Sequence, residues 1–226
     1  TVGDTIGVAS SHSLSFDGVD DDVVVNNINV NADFTWMCHF ISNPTLNVPY
    51  IFDSRISNLQ GTLLYLVDEQ SLVYGMGYLN SSNPLNNWVN VSGLNIPNGI
   101  WHHVAITYSN NIVSLHINGV LVNSISFNNG SFSEGNHLSI GRRQDNGEHP
   151  YNGNMDNISL WEGALSQSEI QQYMNCPPTG SEAGLVGYWN FEEGSGSVVN
   201  DLSGNGNNGT INGATWSTDV PNQTCI

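Results

Sequence analysis

The residues best suited to chemistry form an oxygen-rich loop near the C-terminus: Asp201-Leu202-Ser203-Gly204-Asn205-Gly206-Asn207-Asn208-Gly209. Asp201, Asn205 and Asn208 offer carboxylate, amide and main-chain carbonyl oxygens on a flexible segment. That is the donor set of a hard divalent cation such as calcium. The competing reading is a turn whose Asx side chains bond their own main chain. A second acidic group, Asp17, Asp20, Asp21 and Asp22, crowds four carboxylates together. A cation would relieve their repulsion, but a solvated turn at Asp17-Gly18 explains them more simply.

Neither nucleophilic nor metal-hydrolase chemistry is indicated. The seven histidines show no zinc spacing. His102 and His103 are adjacent, so a strand points them to opposite faces and they cannot share an ion. No G-x-S-x-G sequence occurs. Glu192-Glu193 and Asp68-Glu69 are adjacent pairs that also diverge on a strand. A sugar site needs an aromatic platform beside planar polar groups. Tyr74, Tyr78, Trp88 and Tyr151 lie in turn-rich stretches, with Arg142, Arg143 and His149 close to Tyr151 in sequence. The two arginines suit an anionic ligand; a local ion pair to Asp145 or Glu148 is the simpler reading.

The elements holding these residues must be short strands. The 226 residues are 38% hydrophobic and 10% charged, with polarity carried by Asn, Ser, Thr and Gly. Such a composition suits strands and tight turns and disfavours long helices. The formal charge is −17, with Arg55, Arg142 and Arg143 as the cations. Duplex binding rests on cations meeting phosphates, so nucleic acid and anionic membrane are rejected as partners. No apolar run is long enough for membrane insertion, and no signal peptide is visible at Thr1.

Period-2 alternation marks strands at Leu14–Phe16, Val23–Val25, Phe34–Ile41, Tyr50–Asp53, Leu63–Val67 and Leu72–Tyr78. Others follow at Trp101–Tyr108, Ile112–Asn118, Val120–Val122, Leu138–Gly141, Met155–Trp161, Leu185–Phe191 and Gly209–Ile211. Asn118-Gly119 signals a hairpin, because both residues tolerate positive φ. Ser166-Gln167-Ser168-Glu169 has capping-box spacing and opens a short helix that Pro177-Pro178 stops. Trp36, Trp101, Trp161, Trp189 and Trp216 read mostly as core. The Asn-x-Ser/Thr sequons, Asn157 and Asn222 among them, arise by chance in an Asn-rich chain.

Cys38 lies in an apolar run and reads as a buried thiol. Cys176 and Cys225 flank the last stretch in polar, Pro-containing contexts and are expected to form a disulfide, which implies an oxidising compartment. Three free thiols are the alternative.

The chain resembles the laminin-G-like (LamG-like) family of the concanavalin A-like lectin/glucanase fold. The resemblance rests on Ser13-Leu-Ser-Phe-Asp-Gly-Val-Asp, Trp101-His102-His103-Val104-Ala105 with Tyr108, and Leu115-His-Ile-Asn-Gly119. It continues through Ile140-Gly141-Arg142, Tyr151-Asn-Gly153, Met155 to Trp161 and Ala164-Leu165-Ser166. It implies an all-β antiparallel sandwich, a jelly roll, with one short helix. One segment departs: Gly184-Leu-Val-Gly-Tyr-Trp-Asn-Phe-Glu-Glu-Gly194 resembles the family's opening strand but stands at the end of this chain. Either residues 184–226 complete a circularly permuted sandwich spanning 1–226, or they begin a tandem domain; permutation is the favoured reading.

The resemblance further implies an extracellular, secreted module for carbohydrate binding or cell adhesion, often within a larger multidomain protein and often holding structural calcium. In the wider fold an Asp at the place of Asp156 commonly faces a metal beside the first strand. Under permutation, Asp156 and Asp201 would meet, with Asn205 or Asn208 completing the site. The catalytic strand of the related glycosidases, E-[IL]-D-x-x-E, is absent. The expectation is therefore a non-catalytic module whose partner is a glycan or a cell-surface protein. A structural or assembly domain without a sugar site is the second reading, and a glycosidase the third.

Overall fold

The computed structural model describes residues 10–28, 33–43, 48–55, 61–67, 71–77, 88–126, 136–143 and 148–225. Two antiparallel sheets face each other. Their strands are β1 (Ser13–Asp17), β2 (Asp22–Asn26), β3 (Phe34–Ser42), β4 (Tyr50–Asp53), β5 (Gly61–Val67), β6 (Ser71–Gly77), β7 (Trp88–Asn95) and β8 (His102–Ser109). Then come β9 (Ile112–Ile117), β10 (Val120–Ser126), β11 (His137–Ile140), β12 (Asn152–Glu162), helix α1 (Gln167–Asn175), β13 (Leu185–Trp189), β14 (Val198–Val199), β15 (Gly209–Asn212) and β16 (Thr215–Ser217). The first sheet runs β10-β9-β8-β3-β12-β1-β16, with β13 also on β12. The second runs β14-β15-β2-β11-β4-β5-β6-β7. The all-β jelly-roll expectation is met.

Alternation explains the layers. Trp36, Cys38 and Phe40 of β3, Val104 and Ile106 of β8, and Leu14 and Phe16 of β1 point inward. They meet Val23, Val25, Phe52, Leu64, Leu66, Leu138 and Ile140 of the second sheet. Trp36 stacks on Phe52 across the interface, ring centroids 4.9 Å apart. Cys38 is a buried free thiol, and burial pushes its pKa up. Trp36, Trp161 and Trp189 are fully buried, whereas Trp101 and Trp216 are half-exposed.

The hairpin between β9 and β10 turns on Asn118 (φ 50°) and Gly119 (φ 74°), the left-handed pair a type I′ turn requires. Helix α1 is capped as its sequence predicts. The Ser166 side chain accepts from the Glu169 N–H, and the Glu169 side chain accepts from the Ser166 N–H. The helix lies on the outer face of the first sheet. Ile170 packs there with Met37, Ala105, Trp161, Leu185 and Tyr188, and Tyr173 stacks on Trp161 at 4.6 Å.

β12 organises the first sheet. One edge pairs with β3 along almost its whole length, from Gly153 to Glu162. The other edge is shared: β1 pairs with residues 152–155 and β13 with residues 158–161. At the changeover the register against β3 shifts between Asp156 and Ser159. Asn157 sits there with φ 50° and is buried. Its amide Nδ2 donates to Ser10 Oγ (2.7 Å) and Gln223 Oε1 (3.2 Å), and its Oδ1 accepts from Tyr188 Oη (2.8 Å). One side chain thus ties the N-terminal segment, β13 and the C-terminal tail together. Asn157 is therefore a buried strut despite its sequon.

Residues 184–226 contribute to both sheets. β13 pairs with β12, β15 with β2, and β16 with β1. Cys176, the C-cap of α1, is bonded to Cys225, so the expected disulfide is present. It pins the tail beneath the end of the helix.

Candidate functional site

Of the expected calcium ligands, Asp201 takes a different role. Its Oδ1 accepts from the N–H groups of Tyr188 (3.0 Å) and Ser203 (2.9 Å), and its Oδ2 from Asn207 (2.9 Å). Asn208 Oδ1 accepts the Asp201 N–H (2.9 Å). Asn205 Nδ2 donates to the carbonyls of Leu185 (3.0 Å) and Val186 (3.1 Å). Leu202 N–H donates to the Tyr188 carbonyl, so both main-chain groups of Tyr188 face this loop. The loop therefore lies along the edge of β13 opposite β12 and satisfies a strand edge with side chains. Asp156 stands on β12, on the other side of β13. The expected meeting of Asp156 and Asp201 is corrected: the Asx hydrogen bonds of the turn hold Asp201, Asn205 and Asn208 elsewhere.

Asp156 itself is fully buried. Its Oδ1 accepts from the Asn157 N–H (2.7 Å), and its Oδ2 is buried without a hydrogen-bond partner. Burial raises its pKa well above the carboxylate range; Ser10 and Asn157 oppose the rise and the Glu192 charge adds to it. Glu192, not Asp201, is thus the carboxylate that Asp156 senses. Glu192 in turn accepts from the N–H groups of Ser11 (2.7 Å) and His12 (3.1 Å). The acidic turn converges more tightly: ligand oxygens of Asp17, Asp20 and Asp21 lie within 4.8 Å of one another. Asp21 Oδ2 accepts the Asp17 N–H (2.8 Å) and Asp17 Oδ1 the Val19 N–H (2.8 Å), which are turn bonds. Asp22 points elsewhere, to Arg142 and Asn212.

Of the aromatic residues expected to form a sugar platform, Tyr151 stands elsewhere. Tyr151 is buried at 0% exposure; its Oη donates to the Ile41 carbonyl (3.0 Å) and its ring meets Phe16 edge-on. It is a core strut, because it enters β12 pointing inward, so it is corrected as a ligand residue. Tyr74 and Trp88 stand within β6 and β7, not in turns. Their side chains, and Tyr78 entirely, lie outside the described residues.

His149 does reach a polar, aromatic cluster on the outer face of the second sheet. Leu64, Leu66 and Phe52 point inward, which turns Tyr65 and Asp53 outward. Tyr50 is opposite Tyr65 in the ladder and stacks on it at 5.5 Å. His149 stacks nearly parallel on Tyr50, 5.0 Å between centroids and 16° between planes. Arg55 lies over the Tyr50 ring at 5.6 Å. Its guanidinium donates from Nε and Nη2 to both oxygens of Asp53 (2.7 and 2.6 Å), and both residues are buried. Arg142 donates from Nε to Asp22 Oδ2 (2.9 Å), while Arg143 pairs with Glu148 at 3.8 Å. The ion-pair reading of the two arginines thus holds for Arg143, whereas Arg142 pairs across the sheet.

Burial raises the Tyr65 pKa, and Tyr50 adds to the rise. A buried ion pair is weak evidence for stability, since desolvation offsets its attraction. Here it fixes a planar guanidinium beside aromatic rings. Tyr50, Tyr65, Asp53 and Arg55 were not among the expected site residues. The available signal was Asp53-Ser54-Arg55, which places one of three cations two residues from a carboxylate.

A polar row crosses the outer face of the first sheet. Asp156 is opposite His39, and His39 opposite His103. The His103 N–H donates to Asn118 Oδ1 (2.9 Å). The His39 and His103 rings are 4.7 Å apart, and His116 follows on β9. Burial lowers the His39 pKa to about 4, although a hydrogen bond to the Met174 carbonyl opposes it. Burial, His39 and His116 hold His103 well below its usual value, and burial lowers His116 too. The spacing argument separated His102 from His103 by face, yet both are buried.

Residues 16–171 match the family model described as the concanavalin A-like lectin/glucanases superfamily. No curated protein matches the chain in sequence. A solved protein from Bacteroides ovatus, inferred to bind carbohydrate, is similar at TM-score 0.75 and 21% identity, over 97% of this chain and 63% of that one. This chain therefore spans less than two thirds of that protein. The heptameric SAP-like pentraxin of Limulus polyphemus is similar at TM-score 0.58 and 19% identity, over 72% of this chain and 81% of that one. Domain 4 of an extracellular arabinanase from Geobacillus stearothermophilus, solved with arabinotriose, is similar at TM-score 0.54 and 20% identity, over 70% and 74%.

The histidine row sets an acid limb for stability. A histidine whose folded pKa is depressed favours the fold while neutral. That contribution is complete above the unfolded value of 6.5 and is lost as pH falls toward the folded value of about 4 for His39. Urea unfolding from pH 7 downward should show stability falling through this window. His39→Gln with His103→Gln should flatten the fall; an unchanged slope would place the acid sensitivity elsewhere.

Proposed function

Because the chain belongs to the concanavalin A-like lectin/glucanases superfamily, we propose that it is a non-catalytic module that binds glycans on the outer face of its second sheet. The observation that carries this is the His149–Tyr50–Tyr65 stack with the Arg55–Asp53 pair beside it. Aromatic faces take the apolar face of a sugar, and fixed planar polar groups read its hydroxyls. The similar structures from Bacteroides ovatus and Geobacillus stearothermophilus support the reading, the one inferred to bind carbohydrate and the other solved with arabinotriose. Residues 1–226 act as one unit in this proposal, supported by the pairing of β13, β15 and β16 with β12, β2 and β1. An extracellular setting is supported by the Cys176–Cys225 disulfide. No described helix is long and apolar enough to cross a membrane.

Glycan-array screening followed by calorimetry tests the site. Tyr65→Ala and His149→Ala should each weaken binding by about tenfold or more. Self-association without any glycan binding would instead favour an assembly domain.

Structural calcium is proposed at one of two places. The unpartnered Oδ2 of Asp156, near the Glu192 charge, supports the first. The convergent oxygens of Asp17, Asp20 and Asp21 support the second. Calcium in excess over EGTA should raise the melting temperature, since the native state alone would hold the ion. Asp156→Asn should remove the rise if the first site binds, and Asp17→Asn with Asp20→Asn if the second does. No rise in the native protein, after exhaustive chelation, would sink both.

A further inference from the structure

A cleft of about 270 Å³ opens between the outer edge of the first sheet, the end of α1 and the C-terminal tail. It lies apart from the aromatic cluster of the second sheet. Its floor is made of His39, His102 and His103, all buried. Exposed Asn118, Asn175 and Asn222 stand around it. Trp101 and Met174 supply apolar wall.

The parts are held firmly. Trp101 Nε1 donates to Asp219 Oδ1 (3.0 Å). His102 Nε2 meets the Pro97 carbonyl at 3.0 Å. Asn118 Oδ1 accepts the His103 N–H (2.9 Å). The disulfide at Cys176, next to Asn175, fixes the tail that carries Asn222. The cleft is a built feature, closed by the same tail that bonds to Asn157 through Gln223.

Its chemistry is selective. Among the described residues, no carboxylate, lysine or arginine lines it. An anionic ligand would leave water without a counter-charge, beside the Asp219 carboxylate that Trp101 Nε1 holds, which is costly. A purely apolar ligand would strip water from the Asn175 and Asn222 carboxamides and leave them unsatisfied. Nδ1 of His39 and of His103 lies below the accessible surface without a hydrogen-bond partner, so the polar groups open to a ligand are chiefly the exposed carboxamides of Asn175 and Asn222. Both rings favour the neutral form, and a neutral imidazole both donates and accepts. Carboxamides do likewise. Hydroxyl groups, each a donor and an acceptor, match that set, and the indole and thioether match the carbon skeleton between them.

We propose that this cleft is a second binding site, for the neutral, hydroxyl-rich end of a saccharide. The assignment stands on the cleft alone and does not depend on the site of the second sheet.

The test uses the full, disulfide-bonded chain. The probes are glucose, galactose, mannose, arabinose and N-acetylglucosamine, with glucuronate as the charged comparator. The readout is the proton NMR spectrum of the histidine ring C–H groups, with His39, His102 and His103 assigned by single His→Gln variants. At least one neutral sugar should shift the His102 and His103 signals saturably, and glucuronate should bind at least about tenfold more weakly. Asn222→Trp, which fills the mouth from an exposed position, should abolish the shifts while the remaining histidine signals keep their native positions. Asn175→Trp is the second blocking variant, used if Asn222→Trp disturbs the tail. Tyr65→Ala should leave the shifts intact. The proposal is overturned if no neutral sugar moves these signals, if glucuronate binds as well, or if a correctly folded blocking variant retains them. Loss of the shifts in Tyr65→Ala would also overturn it, by assigning the sugar to the other face.

Discussion

The structure depends on how one strand edge is divided. β12 gives one edge to β3 and splits the other between β1 and β13. Two strands placed end to end leave a gap in the ladder, and buried main-chain groups there need partners. Asn157 occupies the gap in a left-handed conformation: its N–H donates to Asp156 Oδ1, and its carboxamide bonds to the side chains of Ser10, Tyr188 and Gln223. Ser10 and Gln223 are thereby drawn to one place. Gln223 continues to the Met174 carbonyl (3.1 Å), so the helix is tied to the same knot. The disulfide then locks what the hydrogen bonds arrange.

This arrangement gives the two outer faces different chemistry. The first sheet is covered by α1 and the tail, which bury a row of neutral histidines and leave a cleft beside them. The second sheet bears the Arg55–Asp53 and Arg142–Asp22 pairs on its outer face. In a chain of net charge −17 with three cations, pairing the cations with carboxylates holds planar groups in place instead of creating a positive patch. The Arg55 guanidinium is thereby fixed beside the Tyr50 ring.

The features legible in the sequence were those set by local rules. Asn118-Gly119, the Ser166/Glu169 box and the β3 and β8 alternations depend on a few neighbouring residues, and all appear as read. The disulfide was legible because two cysteines flank one segment. Strand β7 was missed because its Asn, Ser and Gly read as loop, and β14 and β16 because they are two and three residues long. The site failed where long-range geometry decides. Asp201 looks like a ligand in sequence, but nearby N–H groups take its oxygens. Tyr151 looks like a platform, but the pleat turns it inward. The histidine row needs the register of β12, β3 and β8 before it exists at all.

The family model ends at residue 171, whereas β13, β15 and β16 beyond it pair with β12, β2 and β1 and would join the same cooperative unit. The most direct test compares urea unfolding of the full chain with that of a chain ending at residue 183, followed by tryptophan fluorescence and far-UV circular dichroism. A full-length Cys176→Ser, Cys225→Ser variant controls for the lost disulfide. If residues 184–226 complete the sandwich, the control should still unfold in one cooperative transition and the shortened chain should show none. A shortened chain that unfolds sharply, with a midpoint close to that of the control, would contradict it.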